Sequence, residues 1–245
     1  MQDSPGFELF SNLNGGTPVS AQLKELQEVA KLKELDLDGF DEFVAVAERG
    51  DVVRLRELLA SGDVNVNQAD GEGWTALIAA ASEGHHEVIK ELLIADGVDV
   101  NKANHDNETA LMRATLAGHA QATSAILAAE GVDVNAATSN GKTALIIAAG
   151  MGSVSIASAL LVAEDIAINA ADQDGKTALI HAAQAGHADV ATTLLVTDGI
   201  AINVADSSGK TALDHAIAEK HHDIAELISA VSQPDTMESI AEEED

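Results

Sequence analysis

The sequence predicts an all-α solenoid of stacked helix pairs, and three observations lead there. Thr-Ala-Leu stands at residues 75, 109, 143, 177 and 211, each interval being 34 residues. Asn67, Asn101, Asn135, Asn169 and Asn203 keep the same period, as do Gly50, Gly84, Gly118, Gly152 and Gly186. The chain is 46% hydrophobic but only 2% aromatic, so Ala, Leu, Val and Ile must build its core. A fixed period of roughly 20–50 residues marks identical supersecondary units, each burying its apolar faces against its neighbours. Small side chains suit tightly stacked helices.

Residues 172–205 show one unit in order. Asp172-Gln173-Asp174-Gly175 is a tight-turn sequence, with Gly supplying the positive φ such turns often need. Thr177 sits where a helix N-cap belongs, its hydroxyl placed to accept an orphan backbone N–H. Ala178 to Ala185 continues as a short helix that Gly186 ends. Val190, Ala191, Leu194 and Leu195 form the apolar stripe of a second helix. Gly199 is expected to end that helix, and Ile200-Ala201-Ile202-Asn203 to run extended into the next turn.

The pattern Asp-x-x-Gly-x-Thr-x-Leu-x-x-Ala-Ala-x-x-Gly-His, followed by a Leu-Leu helix and Val-Asn, resembles the ankyrin repeat. The resemblance covers about residues 36–232, with units opening at Asp36, Asp70, Asn104, Thr138, Asp172 and Asp206. It implies L-shaped units stacked into a curved solenoid, with turns projecting as β-hairpin-like fingers. It also implies a partner protein docked on the concave side formed by fingers and first helices.

Departures from that pattern are informative. The Pro and His of the family's Thr-Pro-Leu-His are absent, replaced by Thr-Ala-Leu-Ile at 75–78, 143–146 and 177–180, Thr-Ala-Leu-Met at 109–112 and Thr-Ala-Leu-Asp at 211–214. Losing Pro removes the preset φ of the first helical turn. Ile and Met must tie repeats by apolar packing where the family uses His. Asp165 stands where other internal repeats place Gly97, Gly131 and Gly199. If that position needs φ > 0, Asp costs on the order of 1 kcal/mol there. Repeat four, 138–171, is therefore the expected weakest internal joint.

Both ends degrade, as terminal repeats with a polar outer face should. The first unit has Asp41 for Thr and Phe43 for Leu, and the last has Lys220 for the inter-helix Gly and Ser229 for the second Leu. Ser20 is placed to cap a helix through about Leu35, so residues 1–35 read as an N-terminal segment with a capping helix. Residues 233–245 end Glu242-Glu243-Glu244-Asp245 and read as a disordered acidic tail.

Net charge is −28, from 41 acidic and 13 basic residues. Nucleic acid and anionic membranes bind through Lys and Arg, so neither is an expected partner. A protein with a basic surface is the better electrostatic match. No stretch approaches 18 uninterrupted apolar residues, and no basic start leads into an apolar run. A cytoplasmic monomer is the expectation. The Glu-rich end resembles secretion signals of some bacterial type IV effectors, which gives an alternative location for the same binding function.

Several motifs suggest chemistry and fail on inspection. Gly-Lys-Thr at 141–143, 175–177 and 209–211 lacks the earlier Gly of a phosphate loop, those positions being Ala136, Ala170 and Val204. Asp36-x-Asp38-Gly39 and Asp172-x-Asp174-Gly175 lack the acidic twelfth ligand of a calcium loop. With no Cys, no thiolate metal site or Cys nucleophile exists. His85, His119, His187 and His221 recur at the structural Gly-His position, leaving His181 and His215 as the best other pair, with no third ligand near. No Gly-x-Ser-x-Gly elbow exists. Neither enzyme activity, a cofactor nor a metal is expected.

The repeat register instead points to a docking surface. Finger positions implied by the resemblance include Glu72, Trp74, Glu108, Lys142, Lys176 and Lys210. The solvent-facing first-helix positions include Ala79, Arg113, Leu116, Ile147, Met151, His181, Gln184 and His215. Trp74 is the only Trp, and Arg113, Leu116, Ile147 and Met151 follow on neighbouring repeats. Large apolar groups and Arg at exposed positions read as an interaction patch, unless Trp74 packs on its neighbouring finger and Ile147 on the adjacent helix. Lys142, Lys176 and Lys210 form a basic row, matched either to acidic neighbouring fingers or to an acidic peptide.

Overall fold

The computed structural model describes residues 39–232. The expected capping helix after Ser20 and the acidic tail lie outside the described residues, and the side chain of Asp41 is not described. The chain divides after Gly39, and the description concerns the unit beginning at Phe40.

Each repeat is a helical hairpin. The first contributes α1 (Gly39–Glu48) and α2 (Val52–Ser61), the second α3 (Ala76–Glu83) and α4 (His86–Leu93). The third contributes α5 (Ala110–Leu116) and α6 (Ala120–Leu127), the fourth α7 (Ala144–Met151) and α8 (Val154–Leu161). The fifth contributes α9 (Ala178–Ala185) and α10 (Ala188–Leu195), the sixth α11 (Ala212–Ala218) and α12 (His222–Ser232). First helices α3, α5, α7, α9 and α11 pack in one row, and second helices α2 to α12 in another. A shared apolar core runs between the rows.

Local chemistry accounts for these elements. Thr75, Thr109, Thr143, Thr177 and Thr211 are extended N-caps whose hydroxyls accept the backbone N–H three residues on. Each cap typically contributes about 1 kcal/mol. Ile78, Met112, Ile146 and Ile180 are fully buried, so apolar packing does fill the position where the family uses His. Burying each such side chain contributes about 1.5–3 kcal/mol. The last repeat has Asp214 there instead. Asp214 is exposed and bonds back to the Thr211 N–H at 2.8 Å, closing a capping box. That backbone bond holds the Asp214 carboxyl below its usual range.

Two details differ from expectation. The second helix of repeat five stops at Leu195 with Val196 as its cap, four residues before Gly199. A turn fills the gap, with Thr197 and Ile200 donating to Leu194 and Thr197 carbonyls, and Gly199 takes φ 85° within it. A further turn at Ile202–Asn203 interrupts the predicted extended run.

That turn carries the Asn ladder, which is a bidentate tie between repeats. Asn67 donates from Nδ2 to the Gly97 carbonyl at 2.7 Å and accepts the Asp99 N–H at 2.7 Å. Asn101, Asn135 and Asn169 do the same to the following repeats. Only an amide of this length offers donor and acceptor side by side, which accounts for the register.

A second tie runs through His. His85, His119 and His187 each place Nε2 within 3.1 Å of a carbonyl in the preceding repeat: Glu48, Ser82 and Gly150. Their rings lie against Gly50, Gly84 and Gly152, so closely that an added Cβ would come within 2.7 Å. Repeat four breaks the pattern: Ser153 stands in the His place and Gly118 faces nothing within 4 Å. Asp165 in the same repeat takes φ 61°, the left-handed conformation anticipated for it.

Candidate functional site

The fingers and first helices form one face. Each finger is a hairpin closed by one antiparallel bridge, Ala69 to Thr75 and its four counterparts. An oxygen-bearing side chain at its start folds it: Asp172 Oδ1 accepts the Asp174 and Lys176 N–H groups at 3.0 and 2.9 Å, and in repeat four Thr138 Oγ1 accepts the Lys142 N–H at 3.1 Å. Adjacent fingers are stitched by backbone bonds, for example Ser139 N–H to the Asp106 carbonyl at 2.9 Å. This rigid comb sets the positions of the side chains named from the sequence.

On repeats two and three those side chains satisfy one another. The Arg113 guanidinium lies 4.8 Å from the Trp74 ring centroid. It donates to Ser82 Oγ at 3.1 Å and approaches Glu108 Oε2 at 3.4 Å. Glu108 also accepts from Asn104 Nδ2. Trp74 is half-buried against the core. Arg113 Nε is the one buried side-chain polar atom without a hydrogen-bond partner among the described residues. Glu72 stays exposed at the fingertip, its carbonyl accepting the His105 N–H.

Across repeats three to five the face opens. Leu116 is 38% exposed and Met151 54% exposed, although both are large and apolar. Between them lies a depression of about 300 Å³, walled by Ile146, Ile147 and Gly150 and rimmed by Lys142, His181 and Gln184. Ile147 is partly buried and packs on the core. Gly150 is the residue missed from sequence. Its place holds Ser82, Leu116, Gln184 and Ala218 in other repeats, which was the available signal. A helical Gly costs up to about 1 kcal/mol relative to Ala.

The polar rim has a definite charge state. His181 Nε2 lies 2.7 Å from Asp172 Oδ2. Burial pushes the imidazole below its ordinary pKa, Asp172 partly offsets this, and the charges of Lys142 and Lys176 push it lower. A neutral ring therefore donates from Nε2 and keeps Nδ1 as an acceptor. Burial raises the Asp172 carboxyl, but bonds from His181 and the Lys176 and Asp174 N–H groups outweigh that and hold it below its usual range. Lys176 Nζ donates to Gln184 Oε1 at 3.1 Å. Among the described residues neither Lys142, Lys176 nor Lys210 forms an ion pair, so pairing with acidic fingers does not account for the basic row.

Two positions expected to face solvent do not. His215 is only 7% exposed because its ring turns onto Asp206, with Nε2 2.7 Å from Oδ2. Asp206 accepts first from Ser208 Oγ, then from the Lys210 N–H and His215, and its carboxyl lies far below the usual range. Ala79 is 2% exposed, its methyl group being too short to emerge between neighbouring first helices. The two His thus bind carboxylates of their own fingers.

Comparisons with known proteins agree with this architecture. A family model described as ankyrin repeats in three copies matches residues 20–104, 43–137, 92–172 and 162–237. A search of curated protein sequences finds no significant match. Among solved structures, the ankyrin repeat protein EF0377 is similar at 26% identity and TM-score 0.71, over 76% of this chain and 96% of its own. An ankyrin repeat domain of Acinetobacter baumannii AYE is similar at 26% identity and TM-score 0.71, over 78% of this chain and 97% of its own. Helix pairs, capped fingers, the in-phase ladders and the family match across most of its length together make the chain a member of the ankyrin repeat family.

Proposed function

We propose that this chain captures a partner protein on the face formed by its fingers and first helices, centred on repeats three to five. Ankyrin repeats are in general protein–protein interaction modules and non-catalytic scaffolds. The carrying observation is the exposure of Leu116 and Met151 beside a depression with an apolar wall. Exposed aliphatic groups around a concavity lose water when a partner covers them, at roughly 25 cal/mol per Å² of apolar area. Trp74 and Arg113 hold each other and stiffen the neighbouring fingers.

A partner isolated by affinity capture from the source cell, purified and re-added, should slow amide exchange in the fingers and first helices of repeats three to five. Met151→Glu should weaken its binding about tenfold or more, since it places a charge in an apolar contact. Protection confined to the second helices, with Met151→Glu binding normally, would overturn the assignment.

A further inference from the structure

We infer that the depression over Gly150 is a socket for one large apolar side chain carried by an acidic segment of the partner. This rests on the reading that the finger and first-helix face binds protein. The fold itself does not require glycine at residue 150. Its φ is not positive, and a Cβ there would meet only His181 Nδ1, at an ordinary 3.9 Å. What the missing side chain does is leave open the wall between Leu116, Ile147 and Met151.

The size and chemistry select the occupant. A volume near 300 Å³ lies at the bottom of the range for small-molecule pockets, roughly 300–1,000 Å³. One side chain fits it better than a cofactor. Exposed Met is adaptable and suits a bulky apolar guest. Polar groups on the rim are Lys142, the His181 Nδ1 acceptor and the Gln184 amide. No Asp or Glu lines the depression, in a chain with 41 acidic residues. Asp172, the carboxylate bonded to the rim residue His181, is already engaged by that ring and two backbone N–H groups. Lys142 therefore presents an unpaired cation beside an apolar hole. The depression between the second helices of repeats two and three, by contrast, is lined by His86, Lys90, Gln121 and Ser124 and has no exposed large aliphatic.

The net charge of −28 opposes an acidic partner at long range. At physiological salt that repulsion is screened beyond about 8 Å, so the contacts at the rim decide. Carboxylates flanking the apolar anchor meet Lys142 and Lys176 within that distance. An anchor flanked by Lys or Arg meets the same cations and is rejected.

A display library of random twelve-residue peptides, selected on the whole chain, tests this. Enriched sequences should carry Leu, Met, Phe or Trp within two positions of Asp or Glu. For a synthetic peptide of that kind, Gly150→Leu should raise Kd at least tenfold and Lys142→Glu about as much, while Lys102→Glu leaves it within twofold. Gly150→Leu should melt no lower than the wild type, which separates lost binding from misfolding. Gly150→Ala, adding one methyl group, is the substitute if Leu distorts the helix, and should raise Kd about threefold. Peptides that protect the fingers and first helices from exchange but ignore both substitutions would overturn the socket and leave the face standing. Peptides protecting only second helices, or no enrichment, would overturn both.

Discussion

Where repeat two meets repeat three, the finger and first-helix side chains satisfy one another, whereas around repeat four the same face is left open on the same backbone. In the former, Arg113 covers Trp74 and bonds Ser82, and His119 presses its ring on Gly84. Repeat four replaces each of these ties: Ile147 for Arg113, Gly150 for Ser82, Ser153 for His119 and Asp165 in place of a loop Gly. The Asn tie survives there, Asn135 reaching Asp165 and Ala167 at 2.7 and 2.8 Å. A linear array stabilised by nearest-neighbour contacts tolerates one relaxed joint if its neighbours are tight. Beside that joint, on the finger and first-helix face, Leu116 and Met151 are left uncovered.

The sharpest way to break this contrast is a matched pair of substitutions. Gly84→Ala drives a Cβ to 2.7 Å from the His119 ring at φ 74° and should cost about 2–4 kcal/mol in urea unfolding. Gly118→Ala meets nothing within 4 Å and should cost only about 1 kcal/mol, from backbone strain alone. Equal costs would mean that the His ties do not distinguish the joints.

Arg113→Ala comes next. It removes the cation–π contact and the bond to Ser82, and should lower unfolding free energy by about 1–2 kcal/mol. Partner binding should fall far less than with Met151→Glu. A loss of binding without a loss of stability would place the anchor on repeats two and three instead.

Asp165→Gly is smaller and opposite in sign. Relieving φ 61° should stabilise the chain by about 0.5 kcal/mol, because glycine's extra unfolded freedom offsets part of the gain. Its carbonyl bond to Asn135 is backbone and persists.

The last prediction is the slope of stability with pH. His181 has a folded pKa below its unfolded value of about 6.5, so the unfolded chain binds more protons in that window. Its contribution is complete above that value and is lost as pH falls through the folded pKa. Asp172, with its carboxyl lowered, adds a second loss that begins near pH 3.9. Unfolding curves of His181→Gln should lack the first loss and keep much of the acid limb. An unchanged slope just below about pH 6.5 would show that His181 does not titrate differently on folding.

Much of the fold was legible because its causes are local or periodic. Thr caps act over three residues, helix stripes over four, and the Asn ladder repeats at 34, so chain order alone exposes them. Ile78 and Met112 could be assigned to the core from their register, and Asp165 to a left-handed turn from its Gly counterparts. Exposure on the candidate face was not legible in that way. It depends on which rotamer a side chain adopts toward a residue one repeat, or one finger, away. Arg113 turns onto Trp74, and His215 turns onto Asp206. Lys142 finds no carboxylate, and Gly150 opens a wall that no single repeat contains. Sequence by itself determined the unit, its caps and its stacking order. Only the tertiary structure decided which registered side chains satisfy each other and which stay free, because that choice is made between repeats rather than within one.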